Sequence, residues 1–212
     1  MEHSEILERF IVFEGIDGSG TTTQLRRVMQ ACEESRIKAF ATREPTLSPI
    51  GQVLDSFLKH KISLSSQTVA RLFAADRCEH IYGRDGIIEM LKQGLVFCDR
   101  YLFSSLAYQG ATNEYMLTLR ENATFPLPQV LFFFDIDVEV AMKRIEIRSK
   151  DKEFYERNDI LRQVQKNYIN IMEEYRKTYP KMHIIRIDAS LAEDVVFAKI
   201  KSSLEELAVF NL

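Results

Sequence analysis

The chain has few cysteines, no excess of positive charge and no long apolar run, and each absence removes a class of protein. Cys32, Cys78 and Cys98 are odd in number and none lies in a C-x-x-C pair. Neither a disulfide framework nor a zinc site is indicated, and the three read as reduced thiols. With 28 Lys and Arg against 31 Asp and Glu the formal net charge is -3. A chain without basic excess is poorly suited to the phosphate backbone of nucleic acid. No apolar stretch reaches the roughly 18 residues of a membrane span, and the opening MEHSEILER is charged and leads straight into a strand. A soluble, cytoplasmic protein with a small-molecule partner is expected. Repeats, low-complexity tracts and linkers are absent too, so residues 1–212 are read as one domain, long enough for a sheet buried on both faces.

A further absence is local and more informative. From Phe10 to Gln24 the chain reads FIVFEGIDGSGTTTQ. The apolar run Phe10-Ile11-Val12-Phe13 ends in Gly15-Ile16-Asp17-Gly18-Ser19-Gly20-Thr21-Thr22, which fits G-x-x-x-x-G-K-[ST] everywhere except the lysine. Thr21 stands there. The glycines let backbone N–H groups curl around a polyphosphate, the following helix points its positive end at it, and Thr22 offers a hydroxyl to Mg²⁺. The plain alternative is a glycine-rich strand-to-helix turn without a ligand. The strand before the loop and the helical spacing of Leu25, Val28 and Met29 after it favour a phosphate loop. Lysine would add a mobile point charge to the donor phosphates, so that charge must come from elsewhere.

Apolar runs of strand length lie at Phe10–Phe13, Gly94–Cys98, Val130–Phe134 and His183–Ile187, with a weaker one at Lys38–Thr42. Helical spacing covers Thr21–Ser35, Pro49–His60, Ser66–Gln93, Leu102–Gln109, Asn113–Asn122, Val138–Arg148, Glu156–Thr178 and Ala192–Ala208. Continuous hydrophobicity, as in Val130-Leu131-Phe132-Phe133-Phe134, suits a parallel strand covered on both faces. The pattern predicts an α/β fold, a doubly wound five-stranded parallel sheet flanked by helices. Ligands of such sheets bind at the carboxyl ends of the strands. Those ends carry the phosphate loop, Thr42-Arg43-Glu44-Pro45, Asp99-Arg100-Tyr101, Asp135 and Asp188-Ala189-Ser190. Each alone is an ordinary polar strand terminus, but together they predict one site. Charge is densest from Lys143 to Arg162, where Arg148-Ser149-Lys150-Asp151-Lys152-Glu153 interrupts the helical pattern and reads, on composition, as a solvated loop.

With Phe73-Ala74-Ala75-Asp76-Arg77 in a long helix, Asp99-Arg100-Tyr101 leading into Ser104-Ser105-Leu106-Ala107-Tyr108-Gln109, and the ending Ile187-Asp188-Ala189-Ser190, the chain resembles the thymidylate kinases. These are P-loop kinases that phosphorylate dTMP to dTDP, and the resemblance spans nearly the whole chain. It implies a P-loop NTPase type of fold with a short lid at about residues 148–157, and a homodimer. It also implies ATP and Mg²⁺ as cofactors, with the ATP phosphates on Gly15, Ile16, Asp17, Gly18, Ser19, Gly20, Thr21 and Thr22 and the adenine near Ala189 and Ser190. Asp17 would hold the 3′-hydroxyl of dTMP, Phe73 would stack on thymine, and Arg77 would hydrogen-bond the base edge. For Phe73 the competing reading is ordinary core packing. Arg43 and Arg100 would grip the monophosphate, a task suited to planar guanidinium forks. Ser105, Tyr108 and Gln109 would line the base and ribose, with Tyr108 excluding a 2′-hydroxyl, and Asp99 would order Mg²⁺ together with Thr22.

Members of that family carry a catalytic arginine either inside the phosphate loop, where this chain has Gly18, or in the lid, where the candidates are Arg148, Lys150, Lys152 and Arg157. The catalytic set implied is Asp17, Arg43, Asp99, Arg100, Arg148 and Lys152. Two other readings compete. A deoxynucleoside kinase would need a general base for an uncharged hydroxyl, whereas Arg43 and Arg100 suit a phosphate already ionised. A catalytically silent nucleotide-binding protein has Thr21 as its main support.

Overall fold

Apolar runs without alternation become strands covered on both faces. They are β1 (Ile6–Gly15), β2 (Ala39–Arg43), β3 (Leu95–Asp99), β4 (Leu127–Asp135) and β5 (His183–Asp188). The structure, a computed structural model, describes residues 5–111, 114–148 and 158–207, without the side chains of Arg148 and Asn158. Within them the strands form one five-stranded sheet, every pairing parallel, in the order β2-β3-β1-β4-β5. Phe10, Ile11, Val12 and Phe13 of β1, Val96 and Phe97 of β3, and Val130, Leu131 and Phe132 of β4 are 0% exposed. Inside, the ring of Phe13 meets Phe132 edge-on at 5.4 Å and Phe97 at 6.2 Å, the geometry that aromatic quadrupoles favour.

Helices complete the layers. α1 (Thr21–Glu34) packs with α9 (Glu193–Glu206), while α5 (Leu102–Gly110) packs against α8 (Asn158–Thr178), α6 (Tyr115–Asn122) and α3 (Ser66–Tyr82). The remaining helices are α2 (Pro49–Leu58), α4 (Ile87–Leu91) and α7 (Val138–Arg148). Start signals are explicit: Ser48 accepts from the Gly51 N–H ahead of Pro49, and Ser65 accepts from the Thr68 N–H, capping donors that a helix N-terminus leaves unpaired.

Several boundaries shift by two or three residues from the sequence expectation, and two differences go further. The run Ser66–Gln93 is two helices, not one, because α3 ends at Gly83, whose N–H bonds the Glu79 carbonyl, and α4 starts from Gly86. A Cβ at Gly86 would lie 2.7 Å from the Ile81 carbonyl oxygen, so the chain turns back at a spacing only glycine permits. β1 is also longer than Phe10–Phe13: Ile6 and Leu7 pair with Leu127 and Pro128 before a register shift.

Register is what builds the site. Phe13 and Arg43 are both level with Asp99, Gly15 is level with Phe134, and Asp135 with Asp188. The polar strand ends therefore share one edge of the sheet. The chain leaves β1 for the β2 edge and later crosses back to β4, so β1 is where the winding reverses and a crevice opens.

Phe132→Ala removes a ring from the centre of this layer and is expected to cost about 3–5 kcal/mol. Urea denaturation measures it, and a loss below about 1 kcal/mol would mean that the inner rings do not carry the sheet.

Candidate active site

A cleft of about 740 Å³ lies over the carboxyl ends of the strands. One wall is the phosphate loop. Ser19 N–H closes a turn onto the Ile16 carbonyl at 3.1 Å, and Gly18 and Gly20 take φ of 82° and 94°, a region that strains any residue with a Cβ. Gly20 is the N-cap of α1 and offers no side chain to the first-turn N–H groups. Those donors, with the helix dipole behind them, suit an anion. The structure places Ile16, Asp17, Gly18, Ser19, Gly20, Thr21 and Thr22 on the cleft wall, whereas Gly15 lies behind it, where a Cβ would come within 2.6 Å of Ser19 Oγ. Thr21 is 5% exposed.

Thr22 Oγ1 donates to Asp99 Oδ2 at 2.5 Å, and Asp99 Oδ1 is buried without a hydrogen-bond partner among the described residues. A hydroxyl and a half-satisfied carboxylate are hard oxygen donors of the kind Mg²⁺ takes. No group of three or more His, Cys, Asp or Glu residues that could hold a metal occurs among the described residues, so a cation here would rely on this pair and on ligand oxygens.

The opposite wall is built from paired charges. Arg100, in a left-handed conformation with φ 71°, reaches back over β1: Nη2 donates to Asp17 Oδ1 at 2.6 Å and Nη1 to the Gly15 carbonyl at 2.8 Å. The guanidinium also lies 5.4 Å from the centre of the Tyr108 ring. The Tyr108 hydroxyl accepts from the Asp17 N–H at 3.0 Å, and burial pushes the phenol's pKa up, so it stays neutral. Asp17 and Arg100 are thus one assembly rather than two separate ligands. Arg43, at the end of β2, is exposed in the cleft and makes no ion pair among the described residues.

Phe73 and Arg77, four residues apart on α3, share a helix face and both line the cleft. Arg77 is 1% exposed. Nη2 donates to Glu44 Oε2 at 2.6 Å and to Ser105 Oγ at 3.1 Å, Nη1 donates to Asn122 Oδ1, and Nε has no partner among the described residues. Behind it His80 Nδ1 lies 3.0 Å from Glu44 Oε1, and His80 Nε2 lies 2.6 Å from Thr42 Oγ1. Ser105, Tyr108 and Gln109 lie along the cleft beneath this network. On the far side Ala189 lines the cleft, but Ser190 turns back, its N–H and hydroxyl both donating to Asp188 Oδ1. The Arg148 side chain, Lys150, Lys152, Arg157 and the rest of the expected lid lie outside the described residues.

Some residues of the site went unread in the sequence. Glu14 sits in an apolar strand and is 0% exposed. Its Oε1 accepts from the N–H groups of Tyr101 at 2.8 Å and Ser104 at 3.1 Å, and its Oε2 from the hydroxyls of Ser104 at 2.6 Å and Tyr168 at 2.8 Å. A lone acid in a buried strand was the available signal. His80, which with Glu44 braces Arg77, and Arg144, whose Nη1 lies 3.5 Å from the Gly18 carbonyl, were the others. Arg144 is hidden in sequence by the charge-dense stretch around it.

The parallel sheet and glycine loop are consistent with an α/β nucleotide-binding protein of the P-loop type. Comparison with known proteins makes the class specific. The family model described as thymidylate kinase matches residues 13–200. A putative thymidylate kinase of Treponema pallidum is 42% identical over 202 residues, covering 95% of this chain and 97% of the relative. A probable thymidylate kinase of Methanocaldococcus jannaschii is 40% identical over 169 residues, 78% of this chain and 82% of the relative. Among solved structures, a thymidylate kinase from Candida albicans superposes with a TM-score of 0.78 over 95% of this chain and 93% of that one, at 22% identity. The chain belongs to the thymidylate kinase family.

Burial pushes the Glu14 carboxyl up to about 7, against an ordinary value near 4.5. The folded state then holds a proton that the unfolded chain has released, so the Glu14 contribution to stability is full below pH 4.5 and is lost as pH rises through about 7. Glu14→Gln is therefore expected to gain stability relative to the parent between pH 4.5 and pH 7, followed by denaturation at several pH values. A difference independent of pH would contradict this titration.

Proposed function

We propose that the protein transfers the γ-phosphoryl group of ATP to dTMP, giving ADP and dTDP, with Mg²⁺ as cofactor. The observation that carries this reading is the two-walled cleft: a phosphate loop on one side, and on the other Arg43 and Arg100 beside the Phe73/Arg77 face of α3. A phosphate oxygen of dTMP attacks the γ-phosphorus in line. The bond from that phosphorus to the β,γ-bridging oxygen breaks, and its electron pair leaves with ADP. The nucleophile is already ionised, so no general base is required, and the protein's work is positioning and charge neutralisation.

The roles follow the walls. Ile16 to Thr22 hold the donor phosphates with Gly15 shaping the loop behind them, and the adenine lies against Ala189. Arg43 and Arg100 take the acceptor phosphate, Asp17 the 3′-hydroxyl, Phe73 the face of thymine and Arg77 its edge. Ser105, Tyr108 and Gln109 close around the base and sugar. Thr22 and Asp99 would hold Mg²⁺, which when bound shields the phosphate oxygens from one another. The same reading carries a homodimer and a cytoplasmic setting. No helix among the described residues is long and apolar enough to cross a membrane.

A deoxynucleoside kinase is less well supported, since the acids nearest the acceptor wall are engaged: Asp17 by Arg100, and Glu44 by Arg77 and His80. Steady-state assays with ATP and Mg²⁺ should show dTMP as the acceptor and thymidine as far poorer. Arg100→Ala should reduce kcat/KM for dTMP about 10- to 100-fold, the worth of a charge-assisted contact. Preference for thymidine would refute the assignment, and an Arg100→Ala variant with parental kinetics would remove Arg100 from the phosphate site.

A further inference from the structure

Part of the acceptor wall hangs on one short segment, Thr42 to Ser48, which runs from the end of β2 to the N-cap of α2. Its residues alternate. Thr42, Glu44, Thr46 and Ser48 turn toward α3, whereas Arg43 and Leu47 are exposed and Arg43 and Pro45 line the cleft. Two is the period of an extended chain, whose successive side chains point to opposite faces.

The members that face α3 are all held by that helix. Thr42 meets His80, and Glu44 meets both His80 and Arg77. Asp76, the residue before Arg77, takes the rest. Its Oδ2 accepts from the Thr46 N–H at 2.8 Å, and its Oδ1 from the Thr46 hydroxyl at 2.6 Å and the Ser48 hydroxyl at 3.0 Å. Ser48 Oγ in turn accepts from the Gly51 N–H that it caps. Asp76 is 1% exposed and does not line the cleft. Burying a carboxylate is costly, and here the cost is offset only while these donors stay in place, so the segment is held in one position. Arg43 has no comparable support of its own, its Nε reaching the Pro45 carbonyl at 3.4 Å. Its place in the cleft is inherited from a backbone pinned to α3 on both sides, at Thr42 by His80 and at Thr46 by Asp76.

We propose that Asp76 is a positioning residue for the acceptor phosphate, fixing Thr46 and Ser48 to α3 so that Arg43 is presented to the cleft. This rests on reading the cleft as that of a dTMP kinase. Adjacent residues of one helix then serve the two grips, Arg77 directly and Asp76 through Arg43, and α3 sets the spacing between the phosphate site and the base site.

Steady-state kinetics with ATP, Mg²⁺ and dTMP test it, using the parent, Asp76→Asn, Arg43→Ala, the double variant, Thr46→Val and Thr46→Ser. Asn keeps the shape of Asp76 but turns its amide hydrogens either toward the Thr46 N–H or toward the two hydroxyls, so one anchor is weakened in either orientation. Asp76→Asn should lower kcat/KM for dTMP about tenfold and leave the KM for ATP within about twofold of the parent. In the Arg43→Ala background the same substitution should cost less than about twofold, because the group it positions is gone. Thr46→Val should show a smaller loss of the same kind, and Thr46→Ser, which keeps the hydroxyl, less than about twofold. Should Asp76→Asn not fold, Thr46→Val with and without Arg43 carries the same comparison. A loss of equal size in the presence and absence of Arg43, or an equal rise in the KM values for dTMP and ATP, would overturn the proposal and leave Asp76 a support of the fold alone. Parental kinetics in Asp76→Asn would overturn it too. A parent inactive on dTMP would refute the proposed reaction, while dTMP affinities of the same variants, measured by titration calorimetry, would still judge Asp76.

Discussion

The carboxylate of Glu14 joins the strand that ends in the phosphate loop to the segment that carries Arg100, and it does so with no exposed surface. Four donors converge on it, two of them backbone N–H groups at the start of α5. An ion taken out of water is costly unless its hydrogen bonds are replaced. Here Tyr101, Ser104 and Tyr168 offset that cost only in part, the carboxyl being pushed up to about 7, so the ionised form above that pH requires those groups to stay where they are. Ser104 also takes a hydrogen bond from Arg100 Nη1 at 3.3 Å. The phosphate loop and Arg100 are thereby parts of one hydrogen-bonded unit.

Preorganisation recurs across the acceptor wall. Arg100 rests on Asp17, and Arg77 on Glu44 with His80 and Thr42 behind. Such pairs, the second buried and the first half-buried, add little net stability, but breaking one leaves an uncompensated charge. Their value in this cleft is geometric: each guanidinium is held in one orientation by its partners, which on the proposed function lowers the entropic cost of binding a nucleotide. Arg43 is exposed and makes no ion pair among the described residues, its Nε donating only a long 3.4 Å bond to the Pro45 carbonyl.

The fold was legible because burial on both faces leaves an unmistakable trace, runs such as Val130–Phe134 with no polar break. The phosphate loop was legible because its glycines are demanded by geometry, although their second use, the seating of α7 on Gly18, involves Ala141 far along the chain and leaves no local mark. Gly83 and Gly86 divide a helix that spacing alone made continuous, since apolar periodicity on either side obscured a tight turn. Paired charges were the hardest to read. Asp17 and Arg100 are 83 residues apart, and Arg77 and Glu44 are 33 apart; their types suggested ligand contacts, while their mutual contacts depend on register. Glu14 is a lone acid in sequence and Arg144 is one charge among many, and only the fold shows what each touches.

If Glu14 holds the acceptor grip in place, its effect should be confined to ligands that use that grip. Gln at this position turns its amide hydrogens toward the hydroxyls of Ser104 and Tyr168, which must switch from donating to accepting, so the Arg100 segment should loosen. The most direct measurement is the affinity of the Glu14→Gln variant and the parent for dTMP and for thymidine, titrated without a phosphoryl donor. A loss of about tenfold for dTMP with thymidine unaffected is the predicted result. Equal losses for both ligands, or no loss for dTMP, would contradict the account.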